Sequence, residues 1–119
     1  MRQQLGQEGE RLAVARLRQE GYRILERNVR FPAGELDIVA QEGNTLCLIE
    51  VRSASSDRWG GALASIGDRK RRRIIRAARW YLARHPSPLP EIRFDVVAIS
   101  WGAGALPAVQ LVRGAFVAD

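Results

Sequence analysis

A chain of 119 residues, 46% apolar and 27% charged, has room for one hydrophobic core and not for two, and its composition excludes a disordered or fibrous class. No apolar run approaches the ~20 residues of a membrane helix, and the single cysteine, Cys47, excludes an internal disulfide or a cysteine-based metal cluster within one chain. Nineteen Lys and Arg against 13 Asp and Glu leave a net charge of +6; eighteen of the nineteen are Arg, so the chain attracts polyanions and carries side chains suited to phosphate. A coding bias toward Arg would produce the same count. The opening Met-Arg-Gln-Gln-Leu-Gly-Gln-Glu lacks a hydrophobic signal region, so a cytoplasmic location without membrane association is expected. The expectation is one domain over residues 1–119.

From about Gln3 to Glu20, Leu5, Gly9, Leu12, Ala13 and Leu17 recur at helical spacing, and Gly21 suits the left-handed stop that follows. Tyr22 to Val29 has a mixed strand pattern, and Phe31-Pro-Ala-Gly34 forms a turn. Two strands, Glu35–Gln41 and Thr45–Arg52, flank Gly43-Asn44, a dipeptide that tolerates the positive φ of a two-residue hairpin loop. Ser53 to Gly67 reads as a Ser/Gly/Ala-rich loop. A basic helix from Asp68 to His85 is stopped by Pro86, Pro88 and Pro90. Glu91–Ser100 is an apolar strand, and Val109–Arg113 is a short last strand after the Gly102–Gly104 turn. The order of helix, three strands, helix and two strands predicts an α/β fold with one sheet and helices on its faces.

The hairpin carries the chemistry. Pairing Glu42 with Thr45 sets a register in which Ile38 faces Ile49 and Asp37 faces Glu50. Alternation then puts Leu36, Ile38, Ala40, Cys47, Ile49 and Val51 on an apolar face, and Glu35, Asp37, Val39, Leu46, Leu48, Glu50 and Arg52 on the other. Carboxylates opposed across a ladder repel and need a cation or a shared proton. A hard divalent ion would supply that cation; Arg52 and a neighbouring Arg at a solvated sheet edge would do so too. Glu10 lies within or beside the apolar stripe of the first helix, either as a third carboxylate or snorkelling at its border. Lys70 precedes Ile74, Ala77, Ala78 and Tyr81 on the inward stripe of the second helix. Its amine could meet a phosphate or a site carboxylate, or be one solvated charge among Asp-Arg-Lys-Arg-Arg-Arg.

Gly6-x-x-Gly9-Glu10-x-x-Ala13, Gly21-Tyr22-x-Ile24-Leu25-x-x-Asn28, Gly34-Glu35-Leu36-Asp37, Ile49-Glu50-Val51-Arg52 and Arg93-Phe94-Asp95-Val96-Val97 resemble the YraN family, a bacterial group similar to archaeal Holliday-junction resolvases of the PD-(D/E)XK nuclease superfamily. The likeness runs from Gly6 to Phe116. It implies a restriction-endonuclease-like fold, a central mixed sheet of about five strands flanked by helices. It also implies an endonuclease that hydrolyses DNA phosphodiesters, branched or structured DNA among them, with Mg²⁺ or Mn²⁺ as cofactor. In that scheme Asp37, Glu50 and the Val51 carbonyl hold the metal, Glu10 is the helix-borne acid, and Arg52 and Lys70 complete the catalytic set. Arg69, Arg72, Arg73 and Arg76 would contact nucleic acid. Resolvase-like members often act as symmetric dimers, so a homodimer is the assembly the resemblance suggests. Arg52 departs from the superfamily pattern, which has Lys there; Arg stays charged and is a poor general base. The alternative is therefore a catalytically impaired nucleic-acid-binding module on the same fold, and a third reading is an interaction subunit whose basic helix meets an acidic partner. Cys47 is expected to pack in the core and Trp80 against the fold or a partner subunit, Trp80 or Trp59 otherwise stacking on bases. His85 is expected to cap a helix end, and Asp95 to brace a neighbouring strand or loop rather than bind metal.

Overall fold

The computed structural model of the chain describes residues 2–54, 66–102 and 106–118, with side chains from Gly6 onward. Helix α1 (Arg2–Gln19) leads into strands β1 (Arg23–Phe31), β2 (Gly34–Glu42) and β3 (Thr45–Ala54). Helix α2 (Asp68–Ala83) then precedes β4 (Glu91–Ser100) and β5 (Ala108–Phe116). The five strands form one sheet in sequence order, antiparallel except for the parallel β3–β4 pair. The expected mixed α/β architecture is what the chain adopts. Among the described residues no helix is long and apolar enough to cross a membrane. Trp59 and most of the loop expected over Ser53–Gly67 lie outside the described residues, as does most of the Gly102–Gly104 turn.

Each helix covers one face of the sheet. Ala13, Val14 and Leu17 of α1 pack on Ile38, Ala40, Cys47, Ile49, Val97 and Ile99, while Ile74, Ala77 and Ala78 of α2 pack on Leu36, Val39, Leu46, Leu48 and Phe94. Both helices present apolar residues at three- and four-residue spacing, which is what lets one stripe of each be buried. At the end of α1, Gly21 takes φ 96° and the Tyr22 N–H reaches back to the Leu17 carbonyl at 2.9 Å, the six-to-one bond of a glycine-capped helix. The hairpin follows the expected register from Glu42–Thr45 to Ile38–Ile49. Gly43 alone takes positive φ in that turn (59°).

Three expectations are corrected: the face of Leu36, the ladder pair between Asp37 and Glu50, and the length of the edge strands. The alternative of a solvated sheet edge at the acids is not what forms, since Val39, Leu46 and Leu48 are buried on that face beneath α2. Leu36 also belongs to that α2 cluster and not to the α1 face. The β2–β3 ladder ends at Ile38–Ile49, so the start of β2 pairs only with β1 and is free to turn its side chains toward α2. The edge strands are longer than expected because bulges let pairing continue. One lies between Ile24 and Glu26 in β1. The other lies opposite Phe94–Val96, where Gly114 (φ 62°) bends β5 and lets Phe116 pair with Phe94.

Gly34 fixes how closely α2 approaches β2. A Cβ there would stand 3.0 Å from the backbone carbonyl oxygen of Arg73 and 3.8 Å from the Ala77 Cβ. The backbone of a helix yields little, so Gly34→Ala is expected to cost about 1–3 kcal/mol, read as a lower urea midpoint. An unchanged midpoint would mean that α2 shifts freely.

Candidate metal and nucleic-acid site

The two hairpin acids meet where β2 and β3 part. Asp37 stands one residue past the last ladder pair, and its Oδ2 accepts the Val51 N–H at 2.9 Å. A side chain thus replaces the cross-strand carbonyl that would otherwise serve that amide, which pins Asp37 against β3. Glu50 is 4% exposed, and the Nζ of Lys70 lies 3.7 Å from its Oε2. Burial, then the hydrogen bond and negative charge of Asp37, push the Glu50 carboxyl up to about 9, against the opposing charges of Lys70 and Arg52. The Lys70 contact is too long for a hydrogen bond, so it does not hold Glu50 ionised against burial and a neighbouring acid. At neutral pH the pair therefore keeps a proton. A cation with a stronger field would displace it and satisfy both acids.

The remaining expected residues divide between this place and others. Arg52 is half-buried and its charge acts on Glu50. The β2–β3 ladder stops short of the expected Glu35–Arg52 pair, and Glu35 lies opposite Arg30 of β1, whose Nε is 3.6 Å from Glu35 Oε2. Glu10 is engaged by β1: its Oε1 accepts Arg27 Nε at 2.9 Å and Asn28 Nδ2 at 3.0 Å, with Asn28 itself at φ 54°. Among the described residues no three His, Cys, Asp or Glu side chains gather closely enough to hold a metal ion. Two acids are nevertheless a usual protein share for Mg²⁺, which keeps waters and substrate phosphate oxygens in its other positions. Asp37, Glu50 and the Val51 carbonyl are all hard oxygen donors and fit that demand.

Arg69, Arg72, Arg73 and Arg76 are exposed along α2. Arg73 joins Lys70, Arg30, Phe31, Gly34 and Glu35 around a cavity of about 320 Å³. Arg30 was not singled out by sequence; the only signal was its place just before the Phe31–Gly34 turn. A larger apolar cavity of about 400 Å³ lies between α2 and β4–β5, lined by Ile75, Leu82, Phe94 and Phe116. It has no acid, histidine or cysteine in its lining, so the chemistry is sought at the smaller polar one.

A second polar cluster lies on the α1 face. Asp95 is fully buried and accepts hydrogen bonds from Tyr22 Oη (2.7 Å), Arg93 Nε (2.8 Å) and the Gly114 N–H (2.9 Å). Arg93 also reaches Glu42 at 2.7 Å, and Glu42 in turn binds Arg113 at 2.7 Å. Every acid here already has its cation, which marks a brace between strands and agrees with the expectation for Asp95. Cys47 beside it is buried, and burial foremost pushes its thiol up to about 12, as befits a core residue. Helix α2 ends at Ala83 and not at His85; the His85 backbone N–H reaches the Leu82 carbonyl at 3.0 Å, while its ring Nδ1 lies 3.0 Å from the Pro86 carbonyl oxygen and not on a helix carbonyl as expected.

Residues 9–99 match the model of the uncharacterised protein family UPF0102, the family that the YraN-like motifs point to. The chain is similar to a UPF0102 protein of Chlorobium phaeobacteroides, 50% identical over 80% of this chain and 75% of that one. It is also similar to one of Anaeromyxobacter dehalogenans, 44% identical over 99% and 87%, and to one of a Janthinobacterium species, 44% identical over 90% of each chain. With a family model spanning most of its length and relatives of this similarity, the chain belongs to the UPF0102 family.

Proposed function

We propose that this protein is a metal-dependent endonuclease of restriction-endonuclease-like architecture, hydrolysing DNA phosphodiesters. The observation that carries this reading is the meeting of Asp37, buried Glu50 and Lys70 at the point where two strands separate, beside a cavity lined by Arg30 and Arg73. A buried carboxyl raised by burial and by its acidic neighbour, next to Arg and Lys side chains suited to phosphate, is what metal-assisted phosphoryl chemistry needs and what a structural ion pair does not.

Asp37, Glu50 and the Val51 carbonyl would hold Mg²⁺ or Mn²⁺. When bound, the ion supplies Lewis-acid stabilisation and a more acidic water for in-line attack at phosphorus. The chain's own residues do the rest. Arg30, Arg73 and Lys70 draw the phosphate into the cavity and offset the negative charge that grows on its oxygens. Lys70 could exchange its long contact with Glu50 for a phosphate oxygen without leaving a buried charge unpaired, since Glu50 would be among the residues holding the ion. Arg52 adds positive field but no basicity.

That last point favours a second reading, a binding module that keeps the fold without turnover. Millimolar Mg²⁺ or Mn²⁺ is expected to raise the Tm of the wild type. Asp37→Asn, which keeps an acceptor for the Val51 N–H while removing the charge, is expected to abolish the rise and any cleavage of branched or single-stranded DNA. A wild-type Tm indifferent to both metals, with all DNA substrates left intact, would sink the nuclease reading. DNA binding without cleavage that Arg52→Lys converts into cleavage would identify the module as one residue short of an enzyme.

A further inference from the structure

The α2 face that leads away from the acids carries one large aromatic in an unexpected place. Trp80 is 51% exposed, although an indole of its area ordinarily hides most of its surface in a fold this size. Its ring is not loose: it stacks on Phe31 with centroids 6.4 Å apart and planes 19° from parallel. Phe31 is held in turn by the Arg84 guanidinium, 4.9 Å from its ring centroid. Phe31 is also a wall of the cavity that Arg30, Lys70 and Arg73 line. One residue therefore joins the phosphate-binding cavity to the exposed indole.

Helical geometry extends the connection. Arg73, Ala77 and Trp80 recur at three- and four-residue spacing and fall on one stripe of α2, with Lys70 at its near end and Arg84 at the C-cap four residues beyond Trp80. Ten residues of helix separate Lys70 from Trp80, a rise of about 15 Å. Ala77 is buried against β2, so the side chains that reach the surface along this stripe run from Lys70 beside Glu50 to Arg73, and then past the Phe31 ring to the open indole and Arg84. A cationic track ending in an open ring is the arrangement that binds single strands, where phosphates follow the charges and an unpaired base lies on the π-face. A duplex would keep its bases stacked on one another, out of reach of the indole.

We propose that Trp80, braced by Phe31, is a platform on which an unpaired DNA base stacks while a nearby phosphate of the same strand rests on Arg73, Arg30 and Lys70. This deepens the nuclease reading and rests on it, naming DNA with an unpaired segment as the substrate class. Selection for such DNA then comes from α2 and not from the two acids.

The test compares a short mixed-sequence single strand with the blunt duplex of the same sequence, bound to the full chain without divalent metal. Trp80→Ala is expected to weaken single-strand binding roughly 5- to 100-fold and to leave duplex binding largely unchanged, while Trp80→Phe retains most of the affinity. The wild type should lose indole fluorescence on adding the single strand, and Trp80→Phe should not. Equal losses on both DNAs, or no loss on the single strand, would overturn the platform; so would wild-type fluorescence unmoved by a strand that binds. If the wild type binds DNA and Trp80→Ala changes nothing, the platform alone fails. If the wild type binds neither DNA, the nucleic-acid reading of the acids falls with it.

Discussion

Glu50→Gln is expected to make the metal-free protein more stable at neutral pH while removing its response to metal. In the folded chain the Glu50 carboxyl is raised from 4.5 to about 9, by burial first and by Asp37 second. Folding therefore binds a proton at this group over the window between those two values. The stability associated with that proton is fully present below about pH 4.5 and is lost as pH rises toward 9, at up to about 1.4 kcal/mol per unit. Glutamine has the shape of the protonated acid and no such slope. The variant should match the wild type near pH 4.5 and exceed it by a few kcal/mol at pH 7.5, the upper bound implied by the same constant. Added Mg²⁺ should then reverse the order, stabilising the wild type by mass action and leaving Glu50→Gln where it was. Urea unfolding at several pH values, with and without metal, reads both effects. A variant less stable than the wild type across the whole range, in the absence of metal, would show that Glu50 is an ordinary buried ion-pair partner of Lys70.

That expectation was partly legible in the sequence. Gly43-Asn44 fixed a hairpin register that the structure follows through five pairs, and it brought Asp37 and Glu50 to the same end of the same face. Period-two reasoning could not reveal that the ladder stops one pair short of them. Where strands separate depends on what packs against them, here Gly34 and Leu36 turning under α2, and tertiary approach leaves no local signature. For the same reason the sequence left open a solvated sheet edge around the acids, where the structure has a second core beneath α2. Lys70 was visible because helical spacing alone puts it on the inward stripe of α2. Arg30 was not, since it joins Lys70 and Arg73 only through the packing of β1–β2 on that helix. Glu10 shows the converse: its position beside an apolar stripe was readable, but its partners Arg27 and Asn28 come from a bulged edge strand whose course the sequence did not disclose.

The second large effect is expected at the opposite pole of the fold. Asp95→Ala should destabilise the chain by about 3–5 kcal/mol, because it leaves the Arg93 guanidinium partly buried without its principal partner and removes the acceptor of both the Tyr22 O–H and the Gly114 N–H. These partners lie 73 and 19 residues away in sequence, which is why Asp95 could be recognised as an inward acid but not as a hub. The pH signature is the mirror image of that at Glu50. Burial works against the Asp95 charge, yet the hydrogen bonds from Arg93, Gly114 and Tyr22 prevail and hold its carboxyl below the usual range. Glu42 is likewise lowered, chiefly by its hydrogen bond from Arg113. Groups lowered in this way contribute stability above their unfolded values and lose it as pH falls through the folded ones. Wild-type stability should therefore fall on the acid side through Asp95 and Glu42, and on the alkaline side through Glu50. Asp95→Asn should flatten only the acid limb and Glu50→Gln only the alkaline limb. The two acids are buried on opposite faces of one sheet, one held below the usual range by hydrogen bonds from Arg93, Gly114 and Tyr22 and the other raised by burial and by Asp37. If either single variant flattened both limbs, the brace and the candidate metal site would be one coupled network instead of two separate devices.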